Sequence, residues 1–304
     1  MTVLFYILSG AGLGLAVLTV LETGISPFWG ILLFPLYGFL LCVIELLFFM
    51  GTGLLIREGK TPEKIEQSYY RFMLFHSCQI MLKLLRVRIH VTGKEKLPKD
   101  TKQPFMFVSN HLSHFDPFVH SKLFYDRRVI FVTKPENTKI PMFGRYVAAA
   151  GFMPIDRVNP REAMRAIQLA ARRLKEEPVT VGVYPEGTIS RSKTLLGFHE
   201  GVFLAAKKAK VPVVVTTLVG TDKVKKNWYR FGTDIYIHIV DVIDAQEVAT
   251  MRTGELSYKV REMMRPSLEQ AGYSAPPTEE AEIADLHLLQ KDPTPSIAEK
   301  ESEN

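Results

Sequence analysis

Seven short apolar runs, rich in β-branched and aromatic residues, recur at residues 87–91, 105–108, 129–133, 147–154, 179–184, 211–219 and 235–242, with helix-compatible stretches alternating between them. This alternation predicts an α/β fold, a mixed and mostly parallel sheet of about seven strands flanked by helices. The clearest intervening helix opens at Asn159-Pro160, a cap followed by proline at the first helical position. It places Met164, Ile167, Ala171 and Leu174 on one face, with Arg161, Arg165, Arg172 and Arg173 around the remainder.

Ahead of this body, residues 2–21 contain no charged side chain and residues 28–56 contain only Glu45. Each stretch is long enough to cross about 30 Å of hydrocarbon. The connection between them lacks Lys and Arg, whereas Arg57, Lys60, Lys64 and Arg71 crowd the far end. The positive-inside rule then predicts a hydrophobic helical hairpin in the inner membrane with the body in the cytoplasm. A cleaved signal is the alternative, but there is no basic leading segment and a second span follows directly. The expected organisation is a two-helix membrane anchor at 1–60, an amphipathic interfacial helix at 61–86, a catalytic domain at 87–274 and an acidic, disordered tail at 275–304.

The tail carries eight acidic residues against Lys291 and Lys300, and residues 1–56 carry only Glu22 and Glu45, so the net charge of +6 understates how basic the central body is. A basic body suits an anionic partner: a lipid surface, an acidic carrier protein or nucleic acid. The anchor favours lipid, and no basic helix or aromatic-basic ladder of a nucleic-acid binder is visible, so no nucleic-acid partner is expected. Two cysteines, Cys42 and Cys78, are too few for a disulfide framework or a cysteine-rich metal site, and no metal is expected.

The run ending at Val108 is followed by Asn110-His111-Leu112-Ser113-His114-Phe115-Asp116. In open α/β sheets chemistry gathers at the carboxyl ends of strands, which is where this order places His111. One helical turn then lets the Asp116 carboxylate reach the imidazole. A carboxylate that accepts the Nδ1 proton leaves Nε2 as a base and stabilises the imidazolium that forms. The same residues also have a purely structural reading, with Asp116 capping a helix that has Pro117 at its first position.

Three further strand ends carry unusual groups. Gly151 to Arg157 closes an apolar run with an arginine suited to phosphate, and Tyr184-Pro185-Glu186-Gly187-Thr188-Ile189-Ser190-Arg191 gathers a carboxylate, hydroxyls and a cation in one turn. The third is the apolar strand Val211-Pro212-Val213-Val214-Val215-Thr216. Each alone also reads as an ion pair, a tight turn or core.

Taken in order, the four segments resemble the conserved blocks of the glycerolipid acyltransferase family, closest to its bacterial 1-acylglycerol-3-phosphate branch, over residues 87–243. The resemblance implies His111 as general base and Asp116 as its orienting acid. It assigns Asn110, Ser113, Arg157, Glu186, Gly187, Thr188 and Arg191 to substrate binding. The family usually has arginine directly after the threonine, where this chain has Ile189 and places Arg191 two positions later. A second proline is common where Val215 stands, and lysine where His199-Glu200 precede Gly201.

The resemblance implies acyl transfer to the sn-2 hydroxyl of lysophosphatidic acid from an acyl thioester, either acyl-coenzyme A or acyl-acyl carrier protein, with no other cofactor. Neither a Gly-x-Ser-x-Gly elbow nor an activated cysteine is visible, so direct transfer is expected in place of a covalent acyl-enzyme. Rival readings are acylation of another lysophospholipid or of an aminolipid, a membrane-anchored hydrolase, and a noncatalytic lipid-binding protein.

Overall fold

The computed structural model of the chain describes residues 68–140, 143–156, 159–229 and 232–277, with Leu21 and Gly51 as isolated positions. The expected membrane hairpin at 1–60, residues 61–67 of the interfacial helix, Arg157, and the tail beyond residue 277 lie outside the described residues. Among the described residues no helix is long and apolar enough to cross a membrane. The chain divides into two compact units, one of residues 1–60 with Ile140–Tyr146, the other of Thr61–Lys139 with Val147–Asn304. The second unit carries the sheet.

Along the chain the elements are α1 (Ser68–Leu84), β1 (Val87–Thr92), β2 (Phe105–Ser109), α2 (Asp116–Leu123), β3 (Arg128–Thr133), α3 (Pro135–Lys139), α4 (Phe143–Ala149), β4 (Met153–Pro154), α5 (Pro160–Glu176), β5 (Val179–Val183), α6 (Leu204–Ala209), β6 (Val213–Val219), β7 (Thr233–Ile243), α7 (Ala245–Thr250) and α8 (Thr253–Gln270). The strands form one seven-stranded sheet in the order β1-β7-β6-β2-β5-β3-β4. All neighbours are parallel except β6 and β7. The mixed, mostly parallel sheet expected from the sequence is therefore present.

Strands β2 and β5 are buried at every position because helices cover both faces of the central sheet. Met106 and Val108 of β2 share one core with Ile167, Ala170 and Leu174 of α5 and with Leu256, Val260 and Met264 of α8. On the opposite face Phe105 and Phe107 meet Phe124, just beyond α2. Leu82 of α1 packs there with Val119 of α2 and with Leu218, Ile235 and Ile237. The apolar stripe of α1 is thus partly covered by the body itself.

The run at 147–154, expected as a strand, is instead a helix end and a two-residue strand. Helix-forming alanines at 148–150 carry α4 forward until Gly151, whose φ of 84° ends it in the left-handed region. The amides of Gly151 and Phe152 return to the carbonyls of Ala148 and Val147. Arg173 of α5, almost fully buried, donates to the Gly151 carbonyl at 3.0 Å and to the Glu177 carboxylate at 3.1 Å, which resolves its burial on the helix's apolar side.

Gly182, the fourth residue of β5, is paired with Phe107 on one side and Phe131 on the other. A Cβ there would lie 2.4 Å from the Phe107 ring and 2.7 Å from the Phe131 ring. Both rings are held by packing, so Gly182→Ala is expected to cost about 3 kcal/mol, the upper end for overpacking, with a Tm drop of roughly 6–12 °C. Thermal unfolding of the variant beside the wild type measures it. An unchanged Tm would mean that the rings are free to move aside.

Candidate active site

His111 follows the carboxyl end of β2, one residue after Asn110. Asn110 clasps that end to β6, its amide donating to the Leu218 carbonyl at 2.9 Å and its oxygen accepting the Leu218 amide at 2.8 Å. The His111 peptide is fixed on both sides by the segment after β5: its N–H donates to Glu186 Oε1 at 2.6 Å, and its carbonyl accepts the Ser190 amide at 2.8 Å. The position of the imidazole therefore depends on residues far away in sequence.

Asp116 Oδ2 accepts three hydrogen bonds, from His111 Nδ1 at 2.7 Å, Leu112 N at 2.7 Å and Ser113 N at 2.9 Å. The helix cap falls on Phe115, not Asp116, and the carboxylate turns back toward the loop. Residues 111–113 are not helical, so a tight loop, and not a helical turn, brings His111 and Asp116 together. The carboxylate is fully buried while 18 % of the His111 side chain is exposed, so the acid is shielded and the base is reachable. With Asp116 accepting from Nδ1, Nε2 is the nitrogen left to take a proton.

The remaining sequence-derived site residues divide. Glu186 is buried, and besides holding the His111 amide its Oε2 accepts the Leu196 amide at 3.0 Å. Gly187 closes a turn with Pro185 at its second position and adopts a φ of 74°, where only glycine is unstrained. Ser113 is half-buried, with its hydroxyl accepting the Phe115 amide at 3.3 Å. Thr188 and Arg191 are exposed at the same sheet edge. Arg157 lies outside the described residues.

Because Glu186 holds two amides, Glu186→Gln must set its NH₂ against one of them. The expected outcome is a stability loss of about 1–3 kcal/mol and a kcat reduced by up to about 10²-fold through misplacement of His111, with the acceptor KM unchanged. Steady-state kinetics separate the possibilities: a raised KM at unchanged kcat would make Glu186 a direct acceptor ligand.

Two residues absent from the sequence-derived site complete its inner wall. Tyr184 stacks on the His111 ring at 4.5 Å between centroids, and its hydroxyl lies 3.0 Å from His120 Nδ1. His120 stacks on Phe107 at 4.9 Å. Both positions carried a signal: Tyr184 begins the segment after β5 that also holds Glu186, and His120 lies one helical turn beyond Asp116.

Burial pushes His120 down to about 4, opposed by the nearby Asp116 charge, so it is neutral at pH 7. Its folded value lies below the unfolded value of about 6.5, so the unfolded chain binds the proton more readily as pH falls. Its stabilising effect is complete above pH ~6.5 and is lost toward pH ~4, at most about 3 kcal/mol. Thermal melts from pH 7 to 4 are expected to fall less steeply for His120→Phe than for the wild type. Equal slopes would assign the acid sensitivity to other groups.

Comparison with known proteins agrees with this geometry. Residues 88–219 match the Acyltransferase family model. The 1-acyl-sn-glycerol-3-phosphate acyltransferases of Saccharomyces cerevisiae and Borreliella burgdorferi are 28% and 27% identical, covering 66% and 65% of this chain. The crystal structure of the 1-acyl-sn-glycerophosphate (LPA) acyltransferase PlsC from Thermotoga maritima aligns with a TM-score of 0.57 at 25% identity, covering 78% of this chain and 94% of that one. Over this region the chain is similar to the glycerolipid acyltransferases. It spans 65% of the length of the yeast relative, and 39% of a Chlamydomonas reinhardtii relative to which it is 36% identical.

The matched region runs from the second residue of β1 to the end of β6 and so contains the whole His111, Asp116 and Glu186 cluster. The sequence signal that carried the resemblance, an Asn-His pair with an acid five positions after the histidine, is joined in the structure by the 2.7 Å contact between His111 Nδ1 and Asp116 Oδ2.

Proposed function

We propose that this acyltransferase moves an acyl chain from an acyl thioester to the sn-2 hydroxyl of 1-acylglycerol-3-phosphate, giving phosphatidic acid. The observation that carries the reading is the buried Asp116 carboxylate holding Nδ1 of a partly exposed His111. His111 Nε2 takes the hydroxyl proton as the oxygen attacks the thioester carbonyl; the new C–O bond forms, the C–S bond breaks, and the thiolate leaves with the proton held by the imidazolium. Base assistance of this kind contributes about 10²- to 10⁴-fold.

Direct transfer is supported by the chemistry of the described nucleophiles. Burial pushes the Cys78 thiol up to about 12, which disfavours the thiolate an acyl-enzyme requires. The Tyr184 phenol is likewise held well above its ordinary value by burial and by Asp116. Residues 1–60 anchor the enzyme on the cytoplasmic face of the membrane, where its lipid acceptor lies, and the donor is the coenzyme A or acyl carrier protein thioester.

Ile189 in place of the family's usual arginine favours a second reading, in which the acceptor is a lysophospholipid with another headgroup. Incubating the full chain with both thioester donors against a panel of lysolipids tests the two. Phosphatidic acid as the dominant product supports the first reading. Preferred turnover of a larger-headgroup or amino acceptor overturns it.

A further inference from the structure

We propose that residues 223–229 form a membrane-contact surface that seats the active-site edge of the sheet on an anionic bilayer. This surface is independent of the identity of the acceptor. The turn leaves the carboxyl end of β6, the strand end that Asn110 ties to the His111 loop. Lys225 is near enough to act electrostatically on His114, so the turn and the catalytic loop share one edge.

The turn is held from below. Val224 is only 1% exposed and packs with Leu82, Val119 and Leu218, while the Tyr273 hydroxyl donates to Asp222 at 3.2 Å. The amides of Lys226 and Asn227 return to the Lys223 carbonyl at 3.0 and 2.9 Å. On this fixed platform Lys223, Lys225 and Lys226 are exposed, and Trp228 and Tyr229 stand adjacent at 69% and 66% exposure with ring centroids 6.0 Å apart.

Two large aromatic rings held out in water beside three cations match the headgroup zone of a bilayer. Amphipathic rings settle at that depth, and lysines there are attracted to anionic lipid. A protein partner fits less well, because lysine is depleted where proteins meet and arginine enriched.

The chain has two tryptophans, Trp29 and Trp228, so Trp29→Phe leaves Trp228 as the only indole reporter. The full chain carrying that change is reconstituted into phosphatidylcholine vesicles, with and without phosphatidylglycerol, and Trp228 emission and its quenching by brominated acyl chains are recorded. The expected result is a blue shift with quenching in the phosphatidylglycerol vesicles, lost on combining Lys223→Glu, Lys225→Glu and Lys226→Glu. Lysine-to-glutamine changes, with circular dichroism to check the sheet, give the same reading should charge reversal unfold the chain. Solvent-like emission in both vesicles overturns the proposal. So does equal quenching with and without phosphatidylglycerol, or a shift elicited by acidic acyl carrier protein in detergent and not by vesicles.

Discussion

Replacing His111 with alanine is expected to lower kcat by about 10²- to 10⁴-fold while leaving the acceptor KM and the fold nearly unchanged. The backbone contacts around His111 make this a clean substitution. The His111 amide is held by Glu186 and its carbonyl by the Ser190 amide, and neither bond involves the ring. Removing the imidazole takes away the base and its stack on Tyr184 but leaves the loop in place. Steady-state kinetics and a thermal melt on the same preparation check both halves. An alanine variant that retains most of its kcat would remove His111 from the chemistry.

Asp116→Asn is expected to produce an activity loss of the same order, about 10²-fold or more, for a different reason. Oδ2 receives three N–H donors, whereas Oδ1 is buried with no hydrogen-bond partner. An asparagine amide must therefore either point its NH₂ at three donors or bury it unpartnered. Either arrangement costs about 1–3 kcal/mol, and neither supplies the negative charge that stabilises the imidazolium. The variant is thus expected to be both less stable and slow, unlike His111→Ala, which is slow alone. Equal kcat for Asp116→Asn and wild type would show that the carboxylate serves only the loop amides.

The contrast between those two residues shows what was readable in the sequence. The His111 and Asp116 pair lies within five positions, and every strand but β4 was legible from its apolar run, the central ones because parallel strands buried on both faces need such runs. The strand order was not legible, since it depends on which runs pack together. The supports of His111 were hidden for the same reason: Glu186 is 75 positions away and the Leu218 partner of Asn110 is 108 positions away. Residues 147–150 misled because an alanine-rich helix end and a buried strand are both short and apolar until Gly151 decides between them.

Glu186 illustrates a subtler limit. A carboxylate in a turn beside a catalytic histidine reads as a substrate ligand, but in the structure its two oxygens hold the amides of His111 and Leu196. Buried carboxylates satisfied by backbone amides are common, and sequence alone does not show the direction in which one points. Tyr184 opened the turn read as functional but was given no role of its own, and the stacking of Tyr184 on His111 and its contact with His120 depend on the tertiary packing.

In the proposed reaction His111 activates the acceptor hydroxyl for direct attack on the thioester. A single-turnover experiment with labelled acyl thioester, following thiol release with and without lysophosphatidic acid, tests it most directly. Thiol release is expected to require the acceptor, the label to pass to phosphatidic acid without appearing on the protein, and His111→Ala to slow the step by about 10²- to 10⁴-fold. A stoichiometric burst of thiol without acceptor, with the label on the protein or in free fatty acid, would contradict it.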